Sequence, residues 1–153
     1  MADDLSLRKL ILDESWAYKV SVLADLVARR IAPIVQDVSG LNLSQWRVIA
    51  AVADQPGRTA SQVVDLTPMD KGIVSRAVRT LVERDLIERR SSKQDGRLSH
   101  LYMTVEGDRL YQKIIEALAR SGASGDRTGS AEEQAQLIST LQSFIETYAD
   151  QVE

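Results

Sequence analysis

Residues 67–97 read TPMDKGIVSRAVRTLVERDLIERRSSKQDGR, and this stretch decides the fold. Thr67 offers a cap, Pro68 suits a first helical position, and Asp70 places a negative charge near a helix N-terminus. The pattern predicts a helix running to about Arg84. At about 100° per residue its two faces separate. Val74, Ala77, Val78 and Leu81 fall on one side. Gly72, Ser75, Arg76 and Arg79 fall on the other, with Glu83 further along. The first face is built to pack on a core. The second presents small, hydroxylic and guanidinium groups. A helix entering a DNA major groove needs that arrangement, with apolar support behind, donors in front and little bulk near the backbone. A merely solvated charged face has the same periodicity, so the flanking segments must decide.

After this helix, Leu86, Ile87, Glu88, Arg89 and Arg90 resemble a short strand. Residues 91–97 are polar and turn-forming, with Asp95-Gly96 as the strongest signal. Residues 98–104 can return as a second strand. Before the helix, Ser44 can cap a segment at residues 45–54, and Asp54-Gln55-Pro56-Gly57 is a turn. Thr59-Ala60-Ser61-Gln62 matches a capping box and opens a short helix ending near residue 65. Two short helices, a polar-faced second helix and a basic hairpin make a winged helix-turn-helix.

The flanks are helical in pattern. Residues 1–38 carry an apolar stripe including Trp16, Val20, Leu23 and Val27. Pro33 is expected to kink or interrupt that helix, and Gly40 to cap it. So apolar a helix needs a partner subunit or the C-terminal helices to cover it. Thr104 opens another helix to about residue 120. A polar loop at residues 121–129 comes next, then a capping box at Ser130-Ala131-Glu132-Glu133 and a last helix to about residue 149. The fold class is therefore mainly α with a small β-wing.

At 153 residues and 44% hydrophobic, the chain reads as one globular domain. It contains no cysteine, which excludes disulfides and thiolate chemistry. No apolar run is long enough to span a membrane, and MADDLSLRKL lacks the features of a secretion leader; a cytoplasmic protein is expected. The net charge of −3 hides a polarity. From Arg58 to His100 nine Lys/Arg face six Asp/Glu, whereas the rest carries ten against sixteen. The middle is thus basic between acidic ends, which points one surface at phosphate. No nucleophile–base pair, glycine-rich phosphate loop or cluster of metal ligands is evident, so no catalytic residue, metal or cofactor is expected. His100, the single histidine, is expected in a solvated or edge-strand position.

The motifs together resemble the MarR family of transcriptional regulators. LSQWRVIAAVAD resembles the family's second helix, and MDKGIVSRAVRTLVERDLIERR its recognition helix and first wing strand. DGRLSHLYMTVEG resembles the wing's Asp-x-Arg element and the family's Leu-Thr-x-Glu-Gly, with Met103 in place of the Leu. The resemblance covers roughly residues 10–149. It implies a homodimer, with residues 1–42 and 105–153 as N- and C-terminal dimerisation helices and residues 43–104 as the winged domain. It also implies a palindromic double-stranded DNA site, with recognition helices in successive major grooves roughly 34 Å apart, and often a repressor released by a small aromatic or anionic effector.

Carried over residue by residue, Ser75, Arg76 and Arg79 sit where the recognition helix meets DNA, with Lys71 near its start. Asp95 and Arg97 match the wing motif, where Asp95 is expected to orient Arg97 toward minor groove or phosphate; Lys93 joins them on the wing. Thr59 and Ser61 open the supporting helix, a phosphate-facing position. Two departures stand out: Asp85 replaces the usual Gly after the recognition helix, and Gly96 stands where another Arg is common. Trp16 and Trp46 read first as core residues, and alternatively as the lining of an effector pocket. The rival function is a winged-helix protein-interaction module without specific DNA binding, to which the acidic pI of about 5.3 lends weight.

Overall fold

The computed structural model describes residues 11–91, 99–123 and 128–149. Among them a short 3-10 turn at Leu12–Glu14 leads into α1 (Trp16–Ser39), followed by α2 (Leu43–Asp54), α3 (Ala60–Leu66) and α4 (Lys71–Glu83). The hairpin β1 (Ile87–Ser91) and β2 (Ser99–Met103) comes next, then α5 (Val105–Ser121) and α6 (Ala131–Ala149). The strands are antiparallel, with Ile87 opposite Met103 and Arg89 opposite Leu101.

Local chemistry explains the boundaries, and some differ from those the sequence suggests. α4 begins at Lys71 because Asp70, not Thr67, is its cap: the Asp70 carboxylate accepts from the Ile73 N–H at 2.8 Å. Thr67 closes the preceding helix instead, its hydroxyl donating to the Val63 carbonyl at 2.7 Å. Pro68 and Met69 are the link between the two helices. α2 likewise starts at Leu43 rather than after Ser44. Asn42 and Gln45 form a reciprocal capping box, which satisfies two free N–H groups where Ser44 would satisfy one. The boxes at Thr59–Gln62 and Ser130–Glu133 form as their spacing indicates. α1 runs through Pro33 without interruption and ends at Gly40, in the left-handed region at φ 67°. The helix survives the lost donor because Ile31, Ile34 and Val35 hold that segment against the core.

The core lies between α4, α2, α5 and the hairpin. Val74, Ala77, Val78 and Leu81 of α4 are buried, as their periodicity requires, against Val48, Ile49 and Val52 of α2. Ile87, Leu101, Ile114 and Leu118 close it from the strands and α5. No described polar or charged residue is buried.

The segment after α2 lies along β2 as a third backbone partner. The Gly57 N–H donates to the Leu101 carbonyl at 2.8 Å, and the Leu101 N–H donates to the Arg58 carbonyl at 2.9 Å. His100 is on this edge, but it is not left to solvent. Its ring is partly buried, with Nδ1 2.7 Å from the Gly57 carbonyl oxygen. The wing is thus sewn to the loop that opens α3.

α1 and α6 are covered least. No residue of α6 is buried, and Leu23, Leu26, Val27, Ile138 and Ile145 are all exposed. Trp16 is not a core residue: it is 47% exposed, and its ring contacts among the described residues are with Phe144 and Tyr148 of α6, at 4.7 and 5.7 Å between ring centroids. Trp46 is buried and stacks on Tyr111 at 5.8 Å.

Candidate nucleic-acid interface

α4 stands on the surface with its apolar half in the core, which fixes the direction of the other half. Lys71, Gly72, Ser75, Arg76 and Arg79 are all exposed. The helix cannot rotate to hide them without exposing Val74, Val78 and Leu81. Burying side chains of that size is worth about 1.5–3 kcal/mol each.

The arginines of this region divide by what they touch. Arg58 is structural: its side chain is 13% exposed, pairs with Asp54 at 2.7 Å and donates to the Ala51 carbonyl. Arg84 donates to the Ser39 and Gly40 carbonyls at the end of α1. Arg90 is held by Glu88 and lies 4.3 Å above the Tyr102 ring. Among the described residues, Lys71, Arg76, Arg79 and Arg89 are in no ion pair. Within residues 58–91 the cations left over are therefore on α4 and on the strand beside it.

Of the other expected contacts, Thr59 is partly buried and its hydroxyl accepts from the Gln62 N–H, so it is first a cap. Ser61, two residues on, is exposed. It lines a cleft of about 280 Å³ with Ala60, Val64, Lys71, Val74, Ser75 and Arg89. Arg89 is the residue that sequence reasoning missed. Strand alternation could have found it, since Arg89 shares the inner face of β1 with Ile87. Lys93, Asp95 and Arg97 lie outside the described residues.

The two tryptophans line separate spaces. Trp46 borders a groove of about 410 Å³ between α1, α2 and α6, where Val20, Leu23, Val27 and Ile31 supply apolar walls and Arg47 a charge. Trp16 borders a smaller hollow of about 280 Å³ with Val20, Phe144 and Tyr148. Among the described residues no group of three His, Cys, Asp or Glu could hold a metal ion, and no helix is long and apolar enough to cross a membrane.

Residues 39–98 match the model of the MarR family. The HTH-type transcriptional regulator PetP of Rhodobacter capsulatus is 31% identical over 71 residues, which cover 46% of this chain and 43% of the length of PetP. Among solved structures, a MarR/EmrR family transcriptional regulator from Acinetobacter sp. ADP1 superposes with a TM-score of 0.80 at 21% identity, over 93% of this chain and 99% of that one. CouR from Rhodococcus jostii RHA1, bound to p-coumaroyl-CoA, superposes with a TM-score of 0.77 at 20% identity, over 88% and 94%.

Proposed function

We propose that the chain is a winged-helix transcriptional regulator of the MarR family, whose model matches residues 39–98, and that it acts as a cytoplasmic homodimer that represses transcription at a palindromic operator. The observation that carries the reading is the outward face of α4. Its apolar half is locked in the core, while Ser75, Arg76 and Arg79 are exposed and free of carboxylate partners among the described residues. Arg76 and Arg79 reach base edges and phosphates, Ser75 lies close to the backbone, and Lys71 and Ser61 flank them. Lys93, Asp95 and Arg97 form the wing's contribution.

The dimer is supported by surface that one copy leaves uncovered. α1 and α6 present Leu23, Leu26, Leu137, Ile138 and Ile145 to solvent, a patch of the kind that marks an interface. Two-fold pairing of these helices sets the two α4 helices for successive major grooves. Release by an effector is supported by the groove beside Trp46, and by the p-coumaroyl-CoA held in CouR.

Selection of bound sequences from a random double-stranded DNA pool tests this. The expected product is an inverted repeat with half-sites about one helical turn apart, bound by a species of twice the 16.9 kDa chain. Failure to enrich any sequence at low salt would instead favour the interaction module.

A further inference from the structure

We infer that His100 is a positioning residue for DNA binding: its imidazole, bonded to the Gly57 carbonyl, sets the angle of the wing to α3 and α4. This rests on the DNA binding proposed above and adds to it a residue that acts through the fold and not by touching DNA. Among the described residues, the two backbone hydrogen bonds between the wing and the loop before α3 both involve Leu101. Bonds gathered at one residue leave a hairpin free to turn about it, and a two-stranded hairpin is marginal on its own. His100 supplies a second point of attachment. Its Nδ1 lies 2.7 Å from the Gly57 carbonyl oxygen, 43 residues away in the chain. A carbonyl oxygen can only accept, so the neutral ring serves this bond with its proton on Nδ1.

The neighbours of His100 converge on the same loop. Strand alternation puts Tyr102 on the face that His100 shares, and the register sets Arg90 and Glu88 opposite them. A Cβ on Gly57 would lie 3.0 Å from the Tyr102 hydroxyl oxygen, and Gly57 has φ 89°, which side chains rarely adopt. Glycine therefore lets the loop come close enough for both rings. Arg90 lies 4.3 Å from the centre of the Tyr102 ring, and Glu88 holds Arg90 there. The loop is anchored on its other side as well. Arg58 is tied to α2 through Asp54 and the Ala51 carbonyl. Thr59, the bridge partner of His100, caps α3. Support thus runs from the wing through Gly57 to the helix that carries α4.

Two elements engage one duplex together at full affinity only when the angle between them is set beforehand, since ordering a swinging wing on binding costs affinity. The test uses the full-length protein and a duplex recovered by selection, with binding followed by fluorescence anisotropy through a salt series. His100→Ala is expected to weaken binding by a factor of about 10, with the log–log salt slope falling by about 0.9 for each phosphate contact the wing gives up. Asn carries an amide N–H at the same distance from the backbone as His Nδ1, whereas Gln carries it one bond further. His100→Asn should therefore restore slope and affinity, and His100→Gln should behave like His100→Ala. Circular dichroism melting checks that each variant is folded. If His100→Ala is not, the Asn and Gln pair carries the test.

Wild-type slope and affinity in His100→Gln would overturn the proposal while leaving the regulator intact. Equal losses in His100→Asn and His100→Gln would also overturn it, since the bond to Gly57 would then not be what matters. So would a lower melting temperature with an unchanged salt slope, which assigns His100 to stability alone. If the wild type binds no DNA at all, the regulator reading falls and takes the proposal with it.

Discussion

The guanidinium of Arg84, the residue just past α4, donates from Nη2 to the carbonyl oxygen of Ser39, the last residue of α1, at 3.0 Å. A second, longer contact of 3.5 Å reaches the Gly40 carbonyl. The last carbonyls of a helix have no partner within it and carry its negative end, so a cation there is favourable. In this chain the cation comes from the helix proposed to read DNA, and the carbonyls come from the helix proposed to dimerise. The contact spans 45 residues of sequence and fixes one helix end to the other.

Arg84→Ala removes this link. Because the pair is exposed, the expected loss of stability is modest, about 1 kcal/mol, measurable by urea denaturation. The larger effect is expected on operator affinity, since in the proposed dimer the angle of α4 relative to α1 would set the half-site spacing. Equal affinity for operators with altered half-site spacing would support the role. An unchanged preference for one spacing would deny it.

Gly107 is required for steric reasons. A Cβ on it would lie 1.9 Å from the Leu86 carbonyl oxygen, and that backbone cannot yield. The Leu86 N–H donates to the Leu81 carbonyl at 2.9 Å, and the Leu86 carbonyl accepts from the Thr104 N–H at 3.2 Å. Gly107→Ala is therefore expected to destabilise by about 3 kcal/mol or more, read as a drop in the urea midpoint with little change in slope.

Asp85 offers the opposite case. It is the one non-glycine residue with positive φ among the described residues, at 54°. Asp tolerates that region better than most residues, but not as well as Gly. Asp85→Gly is expected to stabilise by about 0.5–1 kcal/mol, a rise of a few degrees in Tm. Asp85→Val should lower Tm.

What could be read from the sequence was whatever depends on short-range pattern. The core face of α4 follows from 3.6-residue periodicity and the start of α3 from four residues of capping box, whereas Asp85 was marked only by standing where the family resemblance expects Gly. Caps were misplaced where two candidates stood within a few residues. Asn42 beat Ser44 because Gln45 returns its hydrogen bond, and Thr67 was already spent on closing α3. The sorting of arginines was beyond pattern, apart from the strand alternation that separates Arg89 from Arg90. Arg58, Arg84 and Arg90 look as available as Arg76 in the sequence. The folded contacts with Asp54, four residues away, and with the distant Ser39 and Tyr102 show that they are already occupied. The exposure of Trp16 was hidden for a related reason: its apolar spacing does not show that, among the described residues, its ring meets only the partly exposed Phe144 and Tyr148.

The central claim is that the outward face of α4 reads bases, and repeating the DNA selection with Arg79→Ala tests it most directly. A base-reading arginine contributes about 1–3 kcal/mol of discrimination at its own position. The wild type should yield an inverted repeat, and Arg79→Ala the same repeat relaxed at one symmetric pair of positions, with the rest intact. Recovery of an identical, equally sharp site by the variant would contradict the claim that Arg79 reads sequence.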